Sequence, residues 1–262
     1  MTAHLARTAA QSSHPAMKHA WANLQPHFGN LRIDQITPER CVTYRASRRR
    51  AGASDGTVLK ELGTLRAAVR RTASGHLARF EMPRQPPPRD RWITKEEAAA
   101  LLGATPDPHL RLFTILALAT AARSGALLGL TWDRVDLKRR QIALGEAREG
   151  RKRRAVVPIN DRALAALEAA YAIRTSDFVI EYGSRPVKSI KKGFREAAAR
   201  AGLKGVSPHI LRHSSATWMA QAGIPMIEIA RYLGHSNPAI TYRVYAKHTP
   251  DYLKSAAAAV EF

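Results

Sequence analysis

Four residues in the C-terminal part of the chain have the side chains that phosphodiester chemistry needs. His209 lies three residues before Arg212, so both side chains occupy one face of a helix. An arginine presents a planar fork of donors to phosphate oxygens, and a histidine beside it can donate a hydrogen bond or move a proton. His235 follows a Leu-Gly pair, and Tyr245, ten residues further on, is a candidate covalent nucleophile. The series predicts cutting of nucleic acid strands.

These residues resemble the C-terminal signature of the tyrosine recombinases, also called the phage integrase family, which reads H-x-x-R, then L-G-H, then Tyr. Upstream, the segment Thr120–Trp132 resembles the family segment that carries its first catalytic arginine, here Arg123. The resemblance covers about residues 90–255 as a catalytic domain and, more weakly, residues 30–82 as a helical core-binding domain. It implies a site-specific DNA recombinase or integrase that works without metal, cofactor or ATP. It further implies a homotetramer on two double-stranded DNA sites and an accessory DNA-bending protein as a further partner.

The resemblance also implies a role for each site residue. Arg123 and Arg212 would bind the non-bridging oxygens of the scissile phosphate, and His209 and His235 would assist them with hydrogen bonds. Tyr245 would attack phosphorus, form a 3′-phosphotyrosyl bond and release a 5′-hydroxyl that later attacks in turn.

A lysine on a β-hairpin protonates the leaving 5′-oxygen in the family. The hairpin here is predicted over Glu146–Val157, and Lys152 is its only lysine. The spacing from the second strand makes Arg148 an alternative. Arg151, Arg153 and Arg154 flank Lys152 and are predicted to contact DNA phosphates.

Two features depart from the pattern of many family members: the spacing to the tyrosine and the residue at position 126. Many family members place the tyrosine nine residues after the histidine, so Tyr242 competes with Tyr245. Tyr245 is preferred because the residues around it resemble the branch with the longer spacing. Ala126 stands where many relatives carry an acidic residue that supports the first arginine. His213 points about 100° around the helix from Arg212 and is assigned a structural role.

The composition favours a polyanionic partner. The 262 residues include 42 Lys and Arg against 21 Asp and Glu, a formal net charge of +21. Residues 1–92 carry 16 basic and 6 acidic side chains, and residues 93–262 carry 26 and 15. Because both parts are basic, both are expected to contact DNA. With 45% hydrophobic residues, the chain can also bury a sizeable core.

Cysteine usage and hydropathy indicate a cytoplasmic protein that does not enter a membrane. Cys41 is the single cysteine, which excludes an intrachain disulfide and a cysteine-based zinc site. The longest largely apolar run, Leu112–Ala122, is shorter than the ~20 residues of a membrane helix. The N-terminus lacks the sustained apolar core of a signal peptide. We expect association with the bacterial nucleoid.

The pattern along the chain predicts a mainly α protein with a small antiparallel β-sheet. Residues 1–29 are poorly patterned, residues 30–82 form a helical domain, and residues 83–92 form a proline-rich linker. A catalytic domain follows over 93–255, and 256–262 form a C-terminal tail. The family resemblance implies that Tyr252–Phe262, with its run of alanines, forms a short helix exchanged between protomers. Helix starts are predicted at Thr37-Pro38 and at the capping box beginning at Thr94. Short strands are predicted near 135–137, 141–144 and 155–159.

Basic residues on two helices of the first domain are predicted to bind the DNA backbone, so that this domain and the catalytic one close around the duplex. They are Arg45, Arg48, Arg49, Arg50, Arg66 and Arg70.

Two other functions use the same residues and stay open. One is a catalytically decayed integrase that still occupies DNA sites, and the other is a type IB topoisomerase-like enzyme that relaxes DNA without exchanging partners. A generic RNA-binding module is disfavoured because only 6% of residues are aromatic and no RNA-binding signature is present.

Overall fold

The computed structural model describes residues 1–11, 13–72, 78–85, 90–145, 155–250 and 253–261. The chain divides into two compact units, Met1–Arg89 and Asp90–Phe262. Both are built mainly from helices, and the second also carries small antiparallel sheets. The predicted fold class is therefore confirmed.

The first unit is an all-helical bundle in its described residues. Its helices are α1 (Thr2–Arg7), α2 (His14–Phe28), α3 (Pro38–Arg50) and α4 (Asp55–Thr72). A 3₁₀ turn, Ile33–Gln35, precedes α3. Helix α3 begins as predicted, with Thr37 as N-cap accepting a hydrogen bond from the Arg40 backbone amide and Pro38 in the first turn.

No helix was predicted for the poorly patterned residues 1–29. The structure has α1 and α2 there, and α2 packs against α4. Ala20, Leu24 and Phe28 recur at four-residue intervals, so they share one buried face of α2. Leu24 on α2 and Leu62 on α4 are fully buried in the same core. Burial of each side chain stabilises the folded state by about 1.5–3 kcal/mol.

The second unit starts with helices, continues through a sheet and returns to helices. Its helices are α5 (Lys95–Gly103), α6 (Pro108–Thr120), α7 (Ser124–Leu128), α8 (Asp161–Ala172), α9 (Lys191–Arg200), α10 (Pro208–Gln221), α11 (Met226–Tyr232), α12 (Ala239–Tyr245) and α13 (Lys254–Ala259). Its strands are β1 (Val135–Asp136), β2 (Gln141–Leu144), β3 (Ala155–Pro158), β4 (Glu181–Tyr182) and β5 (Arg185–Pro186). Two 3₁₀ turns span Trp132–Arg134 and Ala246–His248.

The predicted three-stranded sheet is present, in the antiparallel order β1-β2-β3. Ile142 pairs with Val135 on one side and with Val157 on the other, so the apolar residues of the sheet face the same core. The pair β4 and β5 has only two residues in each strand, which is too short to produce an alternating pattern in the sequence.

The packing of α10 against α6 positions the candidate site. Phe113 and Leu116 of α6 and Leu211 of α10 are completely buried in the main core. Thr94 and Glu97 form the predicted capping box at the start of α5. Ser214 on α10 accepts a hydrogen bond from the Ile93 backbone amide at 2.9 Å, which fixes the segment before α5 to α10.

Candidate active site

Arg212 is a buried arginine that joins three separate parts of the chain. Its side chain projects from α10 and only 6% of the residue is exposed. Nη1 donates to the Ala121 carbonyl at 2.6 Å, and Nη2 donates to the Leu233 carbonyl at 2.8 Å. These carbonyls lie at the C-terminal ends of α6 and α11, where helices leave acceptors without intrahelical donors. Arg212 therefore satisfies two helix ends while its guanidinium is held in one orientation.

The C-cap residue of helix α6 is Ala121, whose left-handed backbone conformation redirects the chain toward Arg123. Ala121 is buried and has φ 51°, a conformation that costs a non-glycine residue about 1–2 kcal/mol. The bond from Arg212 to its carbonyl helps to hold this conformation. Arg123 then occupies the N-cap position of α7 with an exposed side chain and no hydrogen-bond or ion-pair partner among the described residues.

Arg123 and Arg212 are two cations, neither of which is matched by a carboxylate among the described residues. Burial, and second the charge of Arg123, lower the pKa of Arg212 to about 10. The positive charge of Arg123 therefore acts on the guanidinium of Arg212. Such a pair favours an anion that can accept donors from both.

His235 is fixed between Arg212 and Thr241. Its Nε2 lies 3.0 Å from Arg212 Nη2, and its Nδ1 lies 2.8 Å from Thr241 Oγ1. Because a guanidinium only donates, Nε2 must accept, and the ring proton lies on Nδ1. Burial, followed by the charges of Arg212 and Arg123, lowers the pKa of His235 to about 4. The ring is therefore neutral at neutral pH.

His209 lies in the first turn of α10 with its side chain exposed. The surrounding protein atoms still remove part of the water around the ring, and this partial desolvation, followed by the charges of Arg212 and Arg123, lowers the pKa of His209. The histidine thus lies in the field of both arginines, at a helix N-terminus whose dipole and free amides favour an anion.

Tyr245, and not Tyr242, is directed into this part of the unit. Tyr245 ends α12, is 6% exposed and packs in a cluster that includes Ala121 and Leu233, the two carbonyl partners of Arg212. Burial raises the pKa of its phenol, and the charge of Arg212 opposes that rise. Tyr242, one turn earlier, is 53% exposed.

His213 contacts the hydroxyl of Tyr245, which the sequence did not indicate. Its Nδ1 lies 3.1 Å from Tyr245 Oη, and the two ring centroids are 5.1 Å apart. The structural role predicted for His213 followed from its direction on α10, which points it away from Arg212. Its hydrogen-bond partner, Tyr245, lies on α12, 32 residues later in the chain, so no local sequence pattern predicts the contact.

The second unit matches a known protein family over most of its length. Residues 91–251 match the model of the phage integrase family. The chain belongs to the phage integrase family. The residues proposed for catalysis all fall within the matched segment.

Relatives of this integrase-family chain carry names that agree with the match. Tyrosine recombinase XerD of Mycobacterium tuberculosis is 30% identical over 239 residues, covering 82% of this chain and 71% of that protein. Tyrosine recombinase XerA of Thermococcus kodakarensis is 29% identical over 233 residues, covering 84% and 81%.

Solved structures of integrases share the fold. The Tn1549 transposon integrase in complex with transposon right end DNA aligns with a TM-score of 0.77 at 16% identity, covering 97% of this chain and 95% of that one. A lambda integrase dimer bound to a COC′ core site aligns with a TM-score of 0.71 at 18% identity, covering 88% and 90%.

The hairpin residues predicted for this integrase-family chain lie outside the described residues. They are Arg148, Arg151, Lys152, Arg153 and Arg154. The flanking strands β2 and β3 are paired from Gln141 with Pro158 to Leu144 with Ala155. The expected strand pairing is therefore present on both sides of the segment, and the choice between Lys152 and Arg148 stays a prediction.

The arginines predicted to bind DNA in the first unit fall into two groups. Arg45 and Arg49 both donate to the carboxylate of Asp55, and Arg48 donates to both oxygens of buried Glu61. The other three have no hydrogen-bond or ion-pair partner among the described residues: Arg50, Arg66 and Arg70. The second group carries uncompensated charge.

Neither a metal site nor a membrane span is found in the described part of the chain. No group of three or more His, Cys, Asp and Glu side chains is arranged there to hold a metal ion. Likewise, none of the helices described is both long enough and apolar enough to cross a membrane.

Proposed function

We propose that this chain is a site-specific DNA recombinase that cuts and rejoins strands through a 3′-phosphotyrosyl bond at Tyr245. The observation that carries the proposal is the arrangement around Arg212. This buried arginine contacts His235 directly, lies in the electrostatic field of Arg123, and shares its surroundings with Tyr245. The names of the curated relatives support the same activity.

Arg123 and Arg212 bind the non-bridging oxygens of the scissile phosphate. The five-coordinate transition state carries dispersed negative charge, and prearranged donors in a partly buried site stabilise it. Arg212 is held by two backbone carbonyls before DNA arrives, so little reorganisation is needed. His209 at the start of α10 adds a donor. His235 becomes a further donor when its ring proton moves from Nδ1 to Nε2 and the Thr241 hydroxyl donates to Nδ1.

Tyr245 is the nucleophile, and Lys152 is the acid that protonates the departing 5′-oxygen. Arg148 is the alternative to Lys152. The phosphotyrosyl bond conserves the energy of the phosphodiester, so the released 5′-hydroxyl can rejoin a strand without ATP.

The first unit binds the DNA backbone, chiefly through Arg50, Arg66 and Arg70. Their charges are not matched by carboxylates among the described residues, so phosphates are their natural partners. A lambda integrase tetramer has been solved bound to a Holliday junction. By analogy we propose a homotetramer on two DNA sites, with an accessory DNA-bending protein.

The test is formation of a covalent complex on nicked DNA. A duplex selected by binding from a random pool, and nicked close to the cleavage position, traps the adduct because the short released strand diffuses away. We expect a denaturant-stable adduct with wild type and with Tyr242→Phe, and none with Tyr245→Phe. Tyr242→Phe is the matched control, since it removes the competing hydroxyl one turn earlier.

The other outcomes separate the alternatives. Tight binding by wild type with no adduct would indicate a decayed integrase that occupies DNA sites. An adduct accompanied by relaxation of plasmids, without strand exchange between two sites, would indicate a topoisomerase-like enzyme.

A further inference from the structure

His213 is the described residue that contacts the hydroxyl of Tyr245. The Nδ1 to Oη distance is 3.1 Å, and both residues are buried. The other two histidines near the arginines are placed differently. His235 has both ring nitrogens engaged, with Arg212 and Thr241, and His209 is exposed in the first turn of α10.

Asp90 faces the opposite nitrogen of His213. His213 Nε2 is buried without a hydrogen-bond partner among the described residues, and Asp90 Oδ1 lies 4.0 Å from it. The carboxylate favours a proton on Nε2, which leaves the lone pair of Nδ1 directed at the Tyr245 hydroxyl. The three groups therefore lie in the order Asp90 carboxylate, His213 imidazole, Tyr245 phenol.

The other charged and titratable groups around His213 keep the ring neutral. His209 lies on the same helix, and Lys247 and His248 follow Tyr245 on the next segment. Lys247 Nζ and His248 Nε2 lie 2.5 Å and 3.8 Å from Asp90 oxygens. Burial lowers the pKa of His213, Asp90 opposes this, and His248, His209 and Lys247 add to it. A neutral imidazole can accept a proton.

We propose that His213 accepts the proton of Tyr245 during strand cleavage, and that Asp90 is the positioning residue that orients His213. The proposal rests on the proposed function, in which Tyr245 is the nucleophile. As Oη bonds to phosphorus, the Oη–H bond breaks and its proton passes to Nδ1, while the bond from phosphorus to the 5′-oxygen breaks. The leaving 5′-oxygen takes its proton from a separate acid.

Rejoining reverses these transfers. The 5′-hydroxyl attacks phosphorus, the bond to Oη breaks, and Nδ1 returns its proton to Oη. Asp90 stabilises the imidazolium that exists between the two steps. A buried tyrosine needs such an acceptor, because burial raises the pKa of its phenol and so disfavours a free phenolate.

The test compares two DNA substrates under single-turnover conditions. One is an ordinary nicked duplex, and the other has sulfur in place of the bridging 5′-oxygen, so its leaving group needs no proton. We expect His213→Gln to slow adduct formation about 100-fold or more on both substrates, because proton removal from Tyr245 precedes either departure. His109→Gln, which changes a histidine on α6 that packs against Tyr182, is the matched control and should cleave both substrates as wild type does.

Two results would overturn the proposal. Cleavage of the ordinary duplex by His213→Gln at the wild-type rate would show that no proton passes to this ring. Recovery of the rate on the sulfur substrate would show that His213 acts on the leaving group.

The pH profile gives an independent measurement through Asp90, which tolerates substitution because its side chain is 56% exposed. The wild-type rate should fall at low pH as His213 becomes protonated. Asp90→Asn removes a charge that raises the pKa of His213, so the acid limb should move to lower pH and the plateau rate should drop. A purely structural role for Asp90 would lower the plateau and leave the limb in place, which would refute its positioning role.

Failure of the proposed function would look different from failure of this proposal. If wild type forms no adduct, or Tyr245→Phe still forms one, the nucleophile is wrong. If wild type forms an adduct at Tyr245 and His213→Gln binds the duplex and cleaves it normally, only the proton acceptor is wrong. If His213→Gln does not fold, the pH profile of the cleavage rate of Asp90→Asn still tests whether His213 is the proton acceptor.

Discussion

Replacing Arg48 by methionine should destabilise the N-terminal unit and leave its DNA contacts largely intact. Arg48 Nε and Nη2 donate to the two oxygens of Glu61 at 3.1 Å and 2.9 Å. The Glu61 side chain is only 4% exposed, and it also accepts hydrogen bonds from Tyr44 and Asn23. Methionine preserves most of the apolar stem of Arg48 and removes its charge, which isolates the ion pair as the variable.

The expected loss is about 3 kcal/mol. Removing one partner of a buried ion pair costs roughly 3–5 kcal/mol, because the remaining charge stays buried without compensation. Tyr44 and Asn23 still donate to Glu61 in the variant, so we expect the lower end of that range. A loss of this size raises the population of the opened unit by roughly a hundredfold.

Hydrogen exchange of the 262-residue chain, read by mass spectrometry, measures this loss within the protein itself. Peptides from α4 should exchange faster in Arg48→Met, and peptides from α10 in the other unit serve as the internal reference. Arg32→Met is the matched control: its pair with Asp34 is 77% and 48% exposed, so its loss should leave the protection of α4 unchanged. Unchanged protection of α4 in Arg48→Met, together with weaker DNA binding, would refute the reasoning and make Arg48 a DNA contact.

Three further outcomes follow from the charges of the site and of the first unit. Arg50→Gln should weaken DNA binding and reduce the slope of log affinity against log salt by about 0.9, measured by fluorescence anisotropy; an unchanged slope would exclude a phosphate contact. Sulfate, compared with chloride at equal ionic strength, should raise the melting temperature of wild type more than that of Arg123→Gln, because no carboxylate among the described residues matches Arg123 or Arg212; equal shifts would contradict the anion site. The pKa of His235 is about 4 folded and 6.5 in the unfolded chain, so the unfolded state binds more protons between these values and stability is lost as the pH falls through them. His235→Gln should flatten that part of a stability profile obtained from urea unfolding at pH 4 to 7, and an unaltered profile would contradict the assignment.

The sequence determined the family, the fold class and the identity of most candidate site residues. The spacing of His209, Arg212, His235 and Tyr245 reflects chemistry that requires those residue types in that order. Helix starts at Thr37 and Thr94 were also readable, since capping depends on side chains within three residues of the backbone amides they serve.

Only the tertiary structure decided which charges are free and which are paired. Arg48 and Arg50 lie two residues apart in one basic run. Arg48 is bound to Glu61, 13 residues away, whereas Arg50 has no partner among the described residues. Helix α2 was not predicted, because its apolar face is short. That face becomes part of a core only when α4 packs against it.

The same distinction applies at the centre of the site. The carbonyl partner of Arg212 at Ala121 lies 91 residues away, and the contact of His213 with Tyr245 spans 32 residues. Such contacts depend on where α6, α10 and α12 lie relative to one another, and that placement is set by burial of their apolar faces rather than by any local pattern. The sequence therefore determined the chemical groups, and the packing of the helices decided which of them meet.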